Sequence, residues 1–263
     1  IVFRGESQIE QRMSRDELYS AVSLVAQALR AEGITMGDIV AAYVANVPEA
    51  VITMLAVASI GATWTSCSPD FGIDGVLDRF GQIQPKVMIT VDGYFYNGKA
   101  IDIRAKVEEI VKNLPSIKRV VIIPYMDRTP NISAIPNAIS LKNYTAEFNP
   151  NEINYTHVGF DHPLYILYSS GTTGKPKCIV HETGGILLKH AAEHILSSNI
   201  KEGDRVFWFT TCGWMMWNWL VSSLAFGATI LLYDGSPFYP DNNTVFKFQL
   251  SNIKRRKHRW PRG

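Results

Sequence analysis

The stretch Leu164–Lys177 reads LYILYSSGTTGKPK, an apolar run followed by a loop of small, hydroxyl-bearing and basic residues. The run Leu164–Ser169 predicts a strand, because it is short, apolar and aromatic. In the loop, Gly171 and Gly174 let a ligand approach the main chain closely. Glycines combined with hydroxyls and ammonium groups suit a polyphosphate, which accepts hydrogen bonds from main-chain N–H groups and from cations. The sequence therefore predicts a phosphate-binding loop at the end of a strand.

The candidate phosphate contacts are the glycines, hydroxyl residues and lysines of the loop. They are Ser169, Ser170, Gly171, Thr172, Thr173, Gly174, Lys175 and Lys177. The loop is not a Walker loop, since Ser169 stands at its first glycine position and Pro176 replaces the Ser or Thr that holds magnesium. The alternative is a Gly- and Thr-rich surface turn. The complete ten-residue string Tyr168–Lys177 favours the phosphate site.

Outside the loop, short apolar strands alternate with helices, which predicts an α/β fold with a layered parallel sheet. Ser14 and Glu17 have the spacing of a capping box at a helix start. The region 125–163 is rich in Pro, Asn and Ser and predicts a long surface connection. Predicted helices are Ser14–Glu32, Pro48–Ile60, Gly75–Gln84, Ala105–Leu114, Gly185–Asn199 and Trp217–Phe226; predicted strands are Ile39–Val44, Ala62–Ser66, Val87–Val91, Arg119–Pro124, Leu164–Ser169, Arg205–Phe209 and Thr229–Leu232.

Composition and charge exclude several classes of protein. Of 263 residues, 46% are hydrophobic and 19% charged, which is ordinary for a globular chain. The apolar segment Ala50–Trp64 is too short and interrupted to span a bilayer. Three widely spaced cysteines predict neither a disulfide framework nor zinc, and favour the reducing cytosol. The net charge of +2 combines a basic end, 241–263, at +6 with a preceding body at −4, which argues against a nucleic-acid partner.

The basic end defines the predicted organisation of the chain. Residues 1–240 are predicted to form one partial α/β domain, and 241–263 a divergent basic tail without α/β periodicity. The cluster Lys254–Lys257 has the composition of a nuclear-localisation or nucleic-acid patch. Because so short a basic cluster is a weak motif, the favoured interpretation is a solvated tail or an abnormal or alternative C-terminus.

The loop resembles the signature loop of the adenylate-forming superfamily, [YF]-[ST]-S-G-[ST]-T-G-x-P-K-G, and departs from it at Cys178, which replaces the last glycine. Further strings, over about residues 1–240, narrow the resemblance to the acetoacetyl-CoA synthetase branch. They are IVH (Ile179–His181), SPDFGIDGVLDRFGQIQPK (Ser68–Lys86), YNGK (Tyr96–Lys99), GWMMWNW (Gly213–Trp219) and LYDGSP (Leu232–Pro237).

This resemblance implies an ATP-dependent ligase of ketone-body and lipid metabolism. Acetoacetate would attack the α-phosphate of ATP–Mg²⁺ to form an acyl-adenylate, and coenzyme A would then displace AMP. Ser169–Lys177 would grip the β- and γ-phosphates, with the hydroxyls of Ser170, Thr172 and Thr173 as direct contacts. The resemblance assigns no catalytic residue to this sequence. The alternatives are a synthetase of the acetyl-CoA type and a non-catalytic nucleotide-binding fragment.

The resemblance also implies an acyl pocket at Trp214, Met215 and Met216, although Met and Trp at the start of an apolar helix commonly pack in a core. His181 is a candidate for contact with substrate or phosphate, with a surface histidine as the alternative. Asp70, Asp74 and Asp78 are interpreted as helix caps without a chemical role.

Members of the superfamily are longer than this sequence. Their adenine- and ribose-binding segments, magnesium-binding acid and C-terminal catalytic lysine have no counterpart in these 263 residues. We therefore expect a truncated N-terminal domain that is inactive as a ligase by itself.

Overall fold

The computed structural model describes residues 1–7, 9–169 and 174–252. The strands in these ranges are β1 Val2–Gly5, β2 Glu10–Arg12, β3 Ile39–Tyr43, β4 Thr63–Cys67, β5 Val87–Val91, β6 Gly93–Tyr96, β7 Lys99–Asp102, β8 Arg119–Ile123, β9 Ala138–Ser140, β10 Pro163–Tyr168, β11 Cys178–Glu182, β12 Arg205–Phe207 and β13 Thr229–Asp234. The helices are α1 Arg15–Ala31, α2 Pro48–Ser59, α3 Ile73–Phe80, α4 Arg104–Lys112, α5 Leu141–Tyr144, α6 Thr183–Ala192, α7 Met215–Ser222 and α8 Thr244–Asn252. A π-helical turn, Glu193–Ser197, continues α6, and a 3₁₀ turn, Ser223–Phe226, continues α7.

The larger sheet confirms the predicted parallel α/β layer. Its order is β11-β10-β4-β3-β5-β8-β9, and every neighbouring pair is parallel except β10 with β11. Strands β4 and β5 are buried along their whole length, as the apolar run Val87–Val91 predicts for β5. Helices α1 and α2 pack against each other and contribute Leu29 and Val57 to the same core.

The second sheet has the order β12-β13-β1-β2. Here β1 runs parallel to β13, with Phe3 opposite Leu232, and antiparallel to β2. The sequence did not predict β1 or β2. Because β1 pairs with a strand at the other end of the chain, its four residues carry no local signal beyond a short apolar run.

Local signals located several elements closely. Ser14 Oγ accepts a hydrogen bond from the Glu17 amide at 3.2 Å, and the Ser14 amide donates to Glu17 Oε2 at 2.7 Å. The predicted capping box is therefore present, and α1 begins at the next residue. The predicted strand Val87–Val91 is observed with the same bounds.

Two regions differ from their predictions. The region 125–163, predicted as a long connection, contains β9 and α5. Beyond residue 240, where no periodic element was predicted, the chain forms α8, whose Phe248 packs 5.9 Å from Phe207 and 6.0 Å from Tyr233. That prediction was wrong for Thr244–Asn252, because tertiary packing of one aromatic side chain stabilises a helix of weak periodicity. The domain boundary at residue 240 stays a prediction, and the basic cluster Lys254–Lys257 lies outside the described residues.

Asn46, just after β3, joins the two sheets. Its amide donates to Asp234 Oδ1 at 3.0 Å, and its Nδ2 donates to the carbonyls of Thr210 and Tyr233, each at 3.2 Å. Its Oδ1 accepts a hydrogen bond from Trp217 Nε1 at 2.9 Å. Asn46 is buried, so these contacts hold the second sheet and α7 in fixed positions beside β3.

No helix in the ranges 1–7, 9–169 and 174–252 combines the length and apolarity that a membrane crossing requires.

Candidate nucleotide site

The predicted phosphate loop connects two antiparallel strands. Strand β10 leads into it, β11 leads out, and Tyr168 lies opposite Cys178. At the base of the loop, the Ser169 amide donates to the Lys177 carbonyl at 3.0 Å, and the Lys177 amide donates to Ser169 Oγ at 3.1 Å. The two stems are therefore held together by main-chain and hydroxyl contacts, with Ser169 and Lys177 at the junction.

Between these stems the loop exposes its basic side chains. Lys175 and Lys177 are exposed. Gly174 has a φ of 153°, in a range that side chains disfavour, and open space surrounds the position of an added Cβ. Two ammonium groups beside an open glycine main chain are suited to an anionic ligand. Ser170, Gly171, Thr172 and Thr173 lie outside the described residues, and their contacts stay predictions.

Helix α3 and the residues just after it contact the loop's second stem. Lys175 Nζ lies 3.4 Å from Asp78 Oδ1. Gln82 Nε2 donates to the Pro176 carbonyl at 2.8 Å and to the Asp78 carbonyl at 2.6 Å. Asp78 lies inside α3 and is not the helix cap that the sequence suggests, and the sequence carries no signal for Gln82. Their spacing of four residues put both on one helical face, but only the tertiary structure shows the loop as their partner.

The first stem contacts the same helix through Arg79. The Arg79 guanidinium carbon lies 4.5 Å from the centre of the Phe71 ring and 5.6 Å from that of Tyr168. The Thr65 hydroxyl donates a hydrogen bond to the Tyr168 hydroxyl at 3.0 Å, and burial raises the pKa of Tyr168. Both stems are thus held against α3, one by a cation–π contact and one by polar contacts.

The proposed acyl residues open helix α7. The Trp214 side chain is 65% exposed and that of Met215 is 45% exposed, while Met216 is half-buried. Trp214 and Met215 therefore do not pack in the core that the described residues form. Trp217 is the buried tryptophan of this segment, and its ring stacks on Trp64 at 6.5 Å between centroids.

Contacts before α7 place its N-terminus at the carboxyl ends of β3 and β4. Ser66 Oγ donates to the Cys212 carbonyl at 2.6 Å, and Cys212 Sγ contacts the Ala45 carbonyl at 3.4 Å. The phosphate loop leaves the carboxyl end of β10, which is the parallel neighbour of β4. The loop and the Trp214–Met216 segment therefore share one edge of the sheet, where ligands of open α/β sheets bind.

His181, a candidate contact in the sequence, is a half-buried residue of β11 whose ring lies 5.0 Å from that of Tyr165. Burial lowers the pKa of His181, which disfavours its charged form and hence a charge contact with phosphate. This geometry favours the packing interpretation over contact with phosphate.

Asp234 is a buried carboxylate at the joint between the two sheets. It lies at the end of β13, and burial raises its pKa to about 6, against which the hydrogen bond from the Asn46 amide acts. Glu6, also buried, is satisfied by the amides of Asn97, Gly98 and Ser236. Across the described residues, no three His, Cys, Asp or Glu side chains are grouped to hold a metal ion.

Residues 2–257 match the AMP-binding enzyme family. Because the match covers nearly the whole sequence, the chain belongs to this family, and the resemblance stated from the loop is confirmed.

Its relatives include the acetoacetyl-coenzyme A synthetase of Rhizobium meliloti (strain 1021), 52% identical over 249 residues, which are 94% of this chain and 38% of the relative. The solved structure of the acetoacetyl-CoA synthetase from Streptomyces lividans superposes with a TM-score of 0.86 and 45% identity, over 92% of this chain and 36% of that one. A malonamoyl-CoA synthetase of Penicillium aethiopicum is 44% identical over 233 residues, or 85% of this chain and 32% of the relative. The chain thus spans just over a third of the length of the first relatives it matches.

Proposed function

We propose that this chain supplies the phosphate-binding and acyl-facing part of an ATP-dependent acetoacetate–CoA ligase. The observation that carries the proposal is the shared sheet edge, with exposed lysines on the loop after β10 and exposed apolar side chains at the start of α7. The names of the relatives from Rhizobium meliloti and Streptomyces lividans support acetoacetate as the acid.

In the first step, a carboxylate oxygen of acetoacetate attacks the α-phosphorus of ATP, and the bond to the bridging oxygen breaks to release pyrophosphate. Lys175 and Lys177 would neutralise charge on the β- and γ-phosphates as it builds up on this leaving group. Ser169, Ser170, Thr172 and Thr173 would donate hydroxyl hydrogen bonds, and Gly171 and Gly174 would open the main chain to the phosphates. Mg²⁺ bound to ATP would share the polyphosphate charge.

In the second step, the coenzyme A thiol attacks the acyl carbon of the adenylate and AMP leaves with the bonding electron pair. We assign Trp214, Met215 and Met216 to the acyl side, where apolar surface would contact the short carbon chain. A synthetase for acetate or another short acid is the second candidate, which the malonamoyl-CoA synthetase relative keeps open. The free thiols of Cys67, Cys178 and Cys212 support action in the reducing cytosol.

A chimaera tests the proposal, because the chain covers about a third of its relatives. Residues 1–240 would replace the matching region of the Streptomyces lividans enzyme. We expect AMP release that depends on acetoacetate and CoA and exceeds that with acetate. Replacing Lys175 and Lys177 with Met should lower kcat/KM by about 10²-fold, the scale of losing a charge-stabilising donor.

The matched control is Lys142→Met, an exposed lysine on α5, which should leave kcat/KM unchanged. Equal turnover of acetate, or full activity of the loop variant, would contradict the proposal. The 263-residue chain alone should release no AMP above background but should bind ATP–Mg²⁺ in titration calorimetry. ATP binding by a chimaera that never turns over would favour the non-catalytic nucleotide-binding alternative.

A further inference from the structure

We propose that Asp78 is an internal counter-ion of the phosphate loop, which pairs with Lys175 while the loop is empty and is displaced when polyphosphate binds. This inference rests on the proposed function and adds a residue that sets ATP affinity. Asp78 is a positioning residue in this proposal, because it acts on the ligand through the ammonium group of Lys175.

The geometry separates the ion pair from the contact that holds the loop backbone. Lys175 Nζ and Asp78 Oδ1 lie 3.4 Å apart, with side chains 75% and 39% exposed. The neighbouring residue, Pro176, is held independently by the hydrogen bond from Gln82 Nε2 to its carbonyl. Removing the Asp78 carboxylate would therefore free the ammonium group while the second stem stays attached to α3.

The negative charge of Asp78 lowers the affinity of the loop for ATP. The Lys175 ammonium would leave the carboxylate to meet the phosphates, and the Asp78 charge would then face the polyanion as a like charge. Both effects weaken binding. Because the pair is exposed and solvent-screened, the expected change is modest, about two- to fivefold in Kd, from the range measured for exposed ion pairs.

Titration calorimetry of the full 263-residue chain with ATP–Mg²⁺ and with inorganic tripolyphosphate tests this inference. We expect Asp78→Asn to lower Kd about two- to fivefold for both probes. The matched control is Asp74→Asn, which makes the same charge change one turn earlier on α3, at an exposed residue. It should lower Kd less, because screening weakens its longer-range interaction with the ligand.

A double-mutant cycle identifies the group through which Asp78 acts. In a Lys175→Gln background, Asp78→Asn should lower Kd less than it does in the unmodified chain, because only the like-charge repulsion with the ligand is then removed. Circular dichroism and melting should match those of the unmodified chain for every variant, since Asp74 is exposed and the ion pair of the half-buried Asp78 is solvent-screened. A gain from Asp78→Asn of undiminished size in the Lys175→Gln background would overturn the proposal.

The outcomes separate this inference from the proposed function. If the chain binds ATP and Asp78→Asn binds it equally or more weakly, the counter-ion role is wrong and the ligase proposal stands. If neither the chain nor the chimaera binds ATP, both proposals fall. A lower KM for ATP in the Asp78→Asn chimaera, with kcat unchanged, would support the counter-ion role independently of calorimetry.

Discussion

The phosphate loop and the Asn46 joint lie at the same edge of the larger sheet, but different kinds of contact hold them. The loop is attached by an exposed ion pair, a cation–π contact and single hydrogen bonds to α3. The joint is a buried network in which Asn46 uses its amide, its side-chain nitrogen and its side-chain oxygen. The difference indicates that buried contacts hold the two sheets together strongly, while the phosphate loop is held by exposed contacts that a ligand can replace.

The largest expected effect is at the joint. Asn46→Ala would leave Trp217 Nε1 and the carbonyls of Thr210 and Tyr233 without their partner in a buried site. We expect the free energy of unfolding to fall by about 4 kcal/mol, from the penalty for several buried unsatisfied groups. Urea denaturation measures it, with Asn143→Ala at an exposed position as the control. A loss below about 1 kcal/mol would show that water replaces the network.

The next effect concerns pH and Asp234. Its folded pKa is about 6, above the ordinary value of 3.8, so between about pH 4 and pH 6 the folded state binds a proton that the unfolded state has released. The Asp234 contribution to stability is thus full below pH 4 and is lost as pH rises through 6. Asp234→Asn removes this dependence, so the variant should gain up to about 3 kcal/mol on the unmodified chain from pH 4 to pH 7.

Comparing the Asp234→Asn variant with the unmodified chain isolates the contribution of Asp234 to the pH dependence of stability. Burial lowers the pKa of His190 to about 4, which makes stability rise with pH in the same window, but this contribution is present in both proteins and cancels in the difference. Chemical denaturation at several pH values supplies the measurement. Parallel pH profiles for the two proteins would mean that Asp234 is not the titrating group.

The smallest effect on stability is expected at the loop. Gln82→Ala removes the donor to the Pro176 carbonyl at an exposed position, and should change the free energy of unfolding by less than about 1 kcal/mol. It should nevertheless raise the Kd for ATP severalfold, because the freed stem must be ordered again on binding. Gln82→Met, which keeps the side chain's length and loses the donor without adding a charge, should behave in the same way. A large loss of stability would remove the contrast between loop and joint.

The sequence predicted those parts of the fold whose signals are local. Ser14 and Glu17 marked the start of α1, and the run Val87–Val91 marked β5. The β6–β7 hairpin had a usable signal, since Asn97 and Gly98 both adopt positive φ values, 52° and 77°, as an Asn-Gly turn requires. In contrast, β1 depends on a partner strand near residue 230 and had no local signal.

The same distinction applies to the site. The string Tyr168–Lys177 predicted the loop, because glycines, hydroxyls and lysines concentrate in ten consecutive residues. The roles of Asp78 and Gln82 depend on how α3 packs against that loop, which their own surroundings in the sequence do not encode. Helical periodicity likewise could not decide which tryptophan is buried, and the structure buries Trp217 while exposing Trp214.

The closure of the loop by Ser169 and Lys177 has a consequence for protein engineering. Since the two stems are already paired at their base, the number of residues between them can change without shifting the register of β10 on β4. The segment between Ser169 and Lys177 is therefore a suitable position for replacement by other loop sequences. Loops of other lengths and charges, grafted between Ser169 and Lys177, could be compared for anion preference on an unchanged sheet.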